Sequence, residues 1–360
     1  MWVSKICLKQ ARQVLFVAAF FLFAIAFAHA NDIENAASMI EKGDYAGAIV
    51  ILRRVAENGN AIAQHQLGVL YAKGQGVERD DAQAVQWFQR AATQGYANAQ
   101  YDLGVMYASG RGVKQSSNNS IEAEKWLRHA GLQGHVVAQN ILGLMYENGQ
   151  GVKQDYAEAA TWYQLAGDQG FASARDSLGM LYAKGLGVKQ NYKEAAKWYR
   201  RAVLQGYAKS QYNLGVLYAR GQGVNQDDIE AVKLFELAGK QGDINAQNIL
   251  GLMYARGRGV EKDFSQAAKW YQLAAAQGYA SAQNNFGMLL ASGQGVTQDD
   301  AKAVEWYLKA ATQGNAEAQY NLAVMYAKGR GIKQNDAEAA KWYDAATAQG
   351  LILPPISSGH

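Results

Sequence analysis

A small residue returns at Gly68, Gly104, Gly143, Gly179, Gly215, Gly251, Gly287 and Ala323, in steps of 36 residues with a single step of 39. The longer step carries three extra polar residues, Ser116-Ser117-Asn118. A fixed period of this length restricts the fold more than any other feature of the chain. A unit of some 36 residues cannot bury its own apolar face, so its copies must stack into an array.

Each unit reads as two helices. In the first, helix A is expected from about Ala61 to Lys73, with Ala63, Leu67, Leu70 and Tyr71 on one face of a 3.6-residue period. Gly74 and Gly76 stop it, and the same Gly-x-Gly returns in every copy, as Gly110-Arg111-Gly112 and Gly329-Arg330-Gly331 do. Helix B is expected to start on an Asx cap at Asp80, Asn119, Asp155, Asn191, Asp227, Asp263, Asp299 and Asn335. Three residues on stands Glu or Gln in seven of the eight copies, as in a capping box. Helix B then buries Ala84, Trp87, Phe88 and Ala91 and ends at Gly95. Gly68 and Ala84 let the helices approach, with Trp87 and Tyr71 expected to fill the space beside them. The tryptophan recurs at Trp126, Trp162, Trp198, Trp270, Trp306 and Trp342. Leu234 replaces it in the fifth copy, where looser packing is expected.

These residues assign residues 60–350 to eight repeats: 60–96, 97–135, 136–171, 172–207, 208–243, 244–279, 280–315 and 316–350. Residues 31–59 form a degenerate leading pair that caps the array, with Asp44-Tyr45-Ala46 matching Asp155-Tyr156-Ala157 and Ile51 in the tryptophan place. Residues 351–360 are a tail whose two prolines end any helix. Residues 1–30 read as a cleaved signal peptide. Lys5, Lys9 and Arg12 precede the apolar run Val14 to Phe27, and Ala28-His29-Ala30 is a small-x-small cleavage site before Asn31. The expected destination is the periplasm or the medium, with no membrane insertion after cleavage. Beyond Asn31 the charges nearly balance and no cysteine remains, which leaves no concentrated basic face for nucleic acid and no thiol chemistry.

Ala138 to Gly170, with Leu142-Gly143, Tyr146, Gly149-Gln150-Gly151-Val152, Asp155, Ala159, Trp162 and Gly170, resembles the Sel-1-like repeat, a relative of the tetratricopeptide repeat. The resemblance implies an all-α, right-handed solenoid of stacked antiparallel helix pairs. It implies a non-catalytic adaptor or scaffold in bacterial envelope, secretion or host-interaction systems, with no cofactor and no metal. Some secreted relatives with paired cysteines are described as penicillin-binding or weakly β-lactamase-like, and this chain lacks those cysteines.

In related tetratricopeptide arrays helix A lines the concave face. By position, the partner-binding surface would show His65, Tyr101, Asn140, Asp176, Tyr212, Asn248, Asn284 and Tyr320. Asp102, Asn213, Asn285 and Asn321 would stand beside them, and Lys73, Lys184, Arg220, Arg256 and Lys328 further along. Amides suit peptide backbone, tyrosines supply contact area and cations meet carboxylates, so the expected partner is a protein or peptide. The competing readings are a cell-wall hydrolase of β-lactamase type and a secreted effector that binds a host protein. No Ser-x-x-Lys occurs, His129 and His135 lack a companion ligand cluster, and the Gly-x-Gly turns lack the Lys-Ser/Thr of a phosphate loop. The chain is therefore expected not to be an enzyme.

Overall fold

The computed structural model describes residues 31–350, so the segment read as a signal peptide (1–30) and the tail (351–360) lie outside the described residues. Among the described residues every regular element is a helix. The chain divides into two units between Ala174 and Arg175.

The first unit begins with α1 (residues 31–41) and α2 (Tyr45–Glu57). Three A–B pairs follow: α3 (Ala61–Lys73) with α4 (Asp81–Thr93), α5 (Ala97–Ser109) with α6 (Asn119–Leu132), and α7 (Val136–Asn148) with α8 (Tyr156–Asp168). Helix α9 (Ala172–Lys184) carries the division. In the second unit it is followed by α10 (Tyr192–Val203) and then by four pairs. These are α11 (Ala208–Arg220) with α12 (Asp228–Lys240), α13 (Ile244–Arg256) with α14 (Phe264–Ala276), α15 (Ala280–Ser292) with α16 (Asp300–Thr312), and α17 (Ala316–Lys328) with α18 (Asp336–Thr347). Gly179 of α9 faces Tyr199 of α10, each of the remaining A helices packs on its own B helix, and within a unit each B helix packs on the next A helix. This is the all-α arrangement of paired helices that the repeat demands.

Local chemistry sets the boundaries. The A helices end on glycines such as Gly74, Gly149 and Gly257, which sit in the left-handed region at φ 65°, 67° and 69°. A side chain there would be strained, which is why the position does not vary. The Asx caps of the B helices accept from the backbone at the third helical position, Asp80 Oδ1 from Gln83 N at 2.9 Å and Asp227 Oδ1 from Glu230 N at 2.9 Å. The reciprocal half of the capping box is replaced. The backbone N–H of the cap residue donates instead to helix A, Asp80 to Tyr71 O at 3.0 Å and Asp155 to Tyr146 O at 2.9 Å, which closes the turn. The freed Glu pairs one turn on with lysine, Glu194 with Lys197 at 2.6 Å and Glu338 with Lys341 at 3.0 Å. The second copy departs. Its three extra residues move the cap to Asn118, which makes no side-chain cap bond, while Asn119 donates to Lys114 O.

The packing corrects one expectation. The ring beside Gly68 belongs to Phe88, and a Cβ on Gly68 would lie 2.7 Å from it. Tyr163, Tyr199, Phe235, Tyr271 and Tyr307 face the equivalent glycines. The tryptophan turns the other way, into the preceding repeat. Trp87 completes the core of α1, α2 and α3, and Trp126 completes that of α4 and α5. Trp162 and Trp270 lie over Gly131 and Gly239 of the B helix before them. Leu234 is 4% exposed and takes the same place in its cluster.

Two polar devices tie repeats together. Buried Gln100, Gln139 and Gln247 each donate to a carbonyl of the preceding B helix, at 2.9–3.1 Å. Their Oε1 atoms accept from Gln133, Gln169 and Gln277, 30 residues or slightly more further on, at 2.7–2.8 Å. Where Asp-Asp opens a B helix, the next repeat carries Gly-Arg-Gly. Arg111 reaches Asp81 at 2.6 Å, Arg258 reaches Asp228 at 2.8 Å and Arg330 reaches Asp300 at 2.6 Å. Arg111 and Arg79 hold the Asp81 carboxyl well below the usual range by hydrogen bonding. The Asp pairs thus join a cap to an inter-repeat staple.

Candidate functional site

The polar column of helix A lies between neighbouring A helices, and none of its twelve residues is fully exposed. His65 Nε2 and Asp102 Oδ2 are 2.6 Å apart. Asp176 accepts from Ser210 Oγ at 2.8 Å and from Asn213 Nδ2 at 3.0 Å. Asn284 accepts from Asn321 Nδ2 at 2.9 Å and donates to Glu317 at 3.3 Å. The column therefore couples successive A helices at these points. Tyr101 stacks on His135 at 4.4 Å, and burial together with Asp102 pushes its hydroxyl pKa up. Asn140 and Asn248 are each 7% exposed, and neither Oδ1 has a hydrogen-bond partner.

Asp176 is buried at 1% exposure, and burial raises its pKa despite Ser210, Asn213 and Lys209 at 3.7 Å. A carboxyl whose pKa is raised by folding stabilises the fold below its unfolded pKa and loses that contribution as pH rises through the folded value. Asp176→Asn keeps an oxygen for Ser210 and Asn213. It should raise the thermal midpoint at pH 7 and lose that advantage toward pH 4; a lower midpoint at pH 7 would contradict the assignment.

Within the second unit the A helices enclose an open cleft of about 850 Å³. Asn248, Asn285, Tyr320 and Asn321 stand on its walls, and Arg256 closes one side. Its apolar surface comes from Leu252, Met288 and Phe264, which the repeat pattern did not single out, and from the core residue Tyr271. The available signal was spacing: Leu252 and Met288 lie one helical turn beyond Asn248 and Asn284, on the same helix face. Met288 is 41% exposed. Tyr212 and Asn213 line a second opening of about 710 Å³ with Lys209 and Asp243. His65, Tyr101, Asp102 and Asn140 belong to the first unit.

The histidines serve local structure. His135 Nδ1 accepts from Ala138 N at 3.2 Å as the cap of α7, and His129 Nδ1 contacts Lys125 O at 2.7 Å. Among the described residues no three His, Cys, Asp or Glu side chains gather as a metal would require, and no helix is long and apolar enough to cross a membrane.

The Sel1 repeat profile matches residues 61–96, 97–135, 136–171, 172–207, 208–243, 244–279, 280–315 and 316–351. A crystal structure of a protective antigen present in uropathogenic Escherichia coli strains, displaying an SLR fold, is 40% identical with a TM-score of 0.79. The match covers 84% of this chain and 64% of that one, so this chain spans less than two thirds of that protein's length. A Sel1 repeat protein from Oxalobacter formigenes is 34% identical with a TM-score of 0.67, over 84% of this chain and 86% of that one. No curated protein matches.

Proposed function

This chain belongs to the Sel1 repeat family, whose members generally mediate protein–protein interaction, and we propose that it is a non-catalytic scaffold that binds a protein partner through the helix-A cleft of its second unit. The observation that carries the reading is the makeup of that cleft. Amides at Asn285 and Asn321 and the hydroxyl of Tyr320 stand over an apolar floor that includes Leu252 and Met288. A peptide backbone needs donors and acceptors at intervals, and its side chains need apolar contact; this wall and floor offer both. Asn248 lines the same wall with its Oδ1 buried. The residues 1–30, by their sequence, favour export to the periplasm or beyond.

The test is capture from envelope extract by the purified protein and by a Tyr320→Ala/Asn285→Ala variant whose helical content and melting are checked first. The expected result is a partner retained by the native protein at least about tenfold better than by the variant, the scale of losing one or two anchoring contacts. Equal recovery of the same partners by both proteins would refute the cleft as the binding surface.

A further inference from the structure

One repeat before the large cleft, a smaller cavity of about 230 Å³ opens between α11, α12 and α13. Val216, Phe235, Ile249 and Met253 give it an apolar floor, and Arg220, Arg256 and Arg258 stand at its rim. Arg258 is committed to Asp228 and to Ala219 O. Arg220 and Arg256 are exposed, and among the described residues neither has an ion pair or a hydrogen-bonded side-chain partner. Both guanidinium charges act on tyrosines of the openings, Arg220 on Tyr212 and Arg256 on Tyr271. A cation at the last position of a helix is favoured by the helix dipole, which accounts for one charge per helix. Each arginine ends its own helix, so what the dipole leaves unexplained is the apolar hole that the two unpaired guanidinium groups flank.

We propose that this cavity takes one apolar side chain of an extended partner segment, with Arg220 and Arg256 each holding a carboxylate beside it. The proposal rests on the cleft reading above and names the chemistry of the partner. Guanidinium groups are suited to carboxylates because their paired N–H donors match the two oxygens. Spacing follows from the array. Successive A helices touch, as Asn284 and Asn321 do, so their axes lie about 8–10 Å apart. An extended chain advances about 3.3 Å per residue, which places the two carboxylates about three residues apart with the apolar residue between them. The second carboxylate can come from a side chain or from the end of the partner chain.

Fluorescence anisotropy with three labelled peptides tests this. The first is a capped peptide Gly-Glu-Leu-Gly-Glu-Gly, the second its Gln twin, and the third Gly-Glu-Leu-Gly-Ala with a free terminal carboxylate. The expected result is that the first or third binds the intact protein at least about tenfold tighter than the Gln twin, with the advantage falling in 0.5 M salt. Binding of the first points to side-chain carboxylates, and binding of the third alone to a chain end. Arg220→Gln/Arg256→Gln, at two exposed positions, should erase the advantage. Equal binding of the Gln twin, or discrimination that survives the double substitution, overturns the proposal. If that happens while Tyr320→Ala/Asn285→Ala still loses captured partners, the cleft reading stands and only the acidic specificity falls. If capture is unchanged as well, both fall.

Discussion

Gly295→Ala should lower the stability of its repeat by about 2–5 kcal/mol, the sum of a left-handed alanine and an overpacked contact. Gly295 has φ +69°, and an added Cβ would lie 2.2 Å from the carbonyl carbon and 2.4 Å from the oxygen of Phe264, which opens helix B of the preceding repeat. The obstacle is backbone, which cannot rotate away. Gly112 meets Asp81 O at 2.1 Å, and Gly331 meets Asp300 O at 2.2 Å, in the same way. The second glycine of Gly-x-Gly is therefore where one repeat sits on the next. Gly278→Ala is the matched control. It shares positive φ, at +92°, but nothing lies within 4 Å of the added atom, so only the backbone strain of about 1–2 kcal/mol remains. Urea unfolding, with amide exchange to localise the change, should separate the two variants. Equal losses would remove the inter-repeat contact from the explanation.

Trp162→Ala should cost about 3–5 kcal/mol, the usual loss for emptying a buried aromatic site. Trp162 is 3% exposed and packs with Leu127, Ala130, Ala138, Leu142 and Met145 of the preceding B helix and its own A helix. Its deletion should uncouple two repeats as well as hollow one, because nearest-neighbour contacts supply much of an array's stability. Trp162→Leu imports the fifth copy's solution and should cost less, since Leu234 is buried in the equivalent place. Amide protection in α6 and α7 is the discriminating readout. Loss confined to α8 would mean that the tryptophan serves only its own helix.

The repeat register, the span Ala61–Lys73 of the first A helix and most Asx caps were legible because each depends on residues close in sequence. The partner of Trp87 was not. A 36-residue period cannot distinguish a contact inside one copy from the same contact with the copy before it, and only the direction of the side chain decides. The capping box failed for a related reason: the N–H it would satisfy was already taken by the carbonyl of Tyr71. The staples could have been read, since Asp81, Asp228 and Asp300 are each followed 30 residues later by Arg111, Arg258 and Arg330, while Ser120, Tyr192 and Phe264 are followed by glutamine. For the candidate site, the sequence located the helix-A column but not its burial. Asp176 and Asn284 lie on a helix face that meets another polar helix face, so their polarity alone does not indicate solvent. Met288 shows the opposite case, an apolar residue, 41% exposed, that lines an opening rather than a core.

The most direct measurement of the central claim compares two photo-crosslinking positions of equal exposure. Met288 lies in the cleft on α15, and Leu308 lies on α16; each is 41% exposed. A photoreactive phenylalanine analogue replaces each in turn, and the irradiated protein is recovered from envelope extract. Binding through the helix-A cleft predicts a discrete cross-linked partner from position 288 and none from position 308. A partner captured from 308 and not from 288 would contradict it and move the binding surface to the B helices.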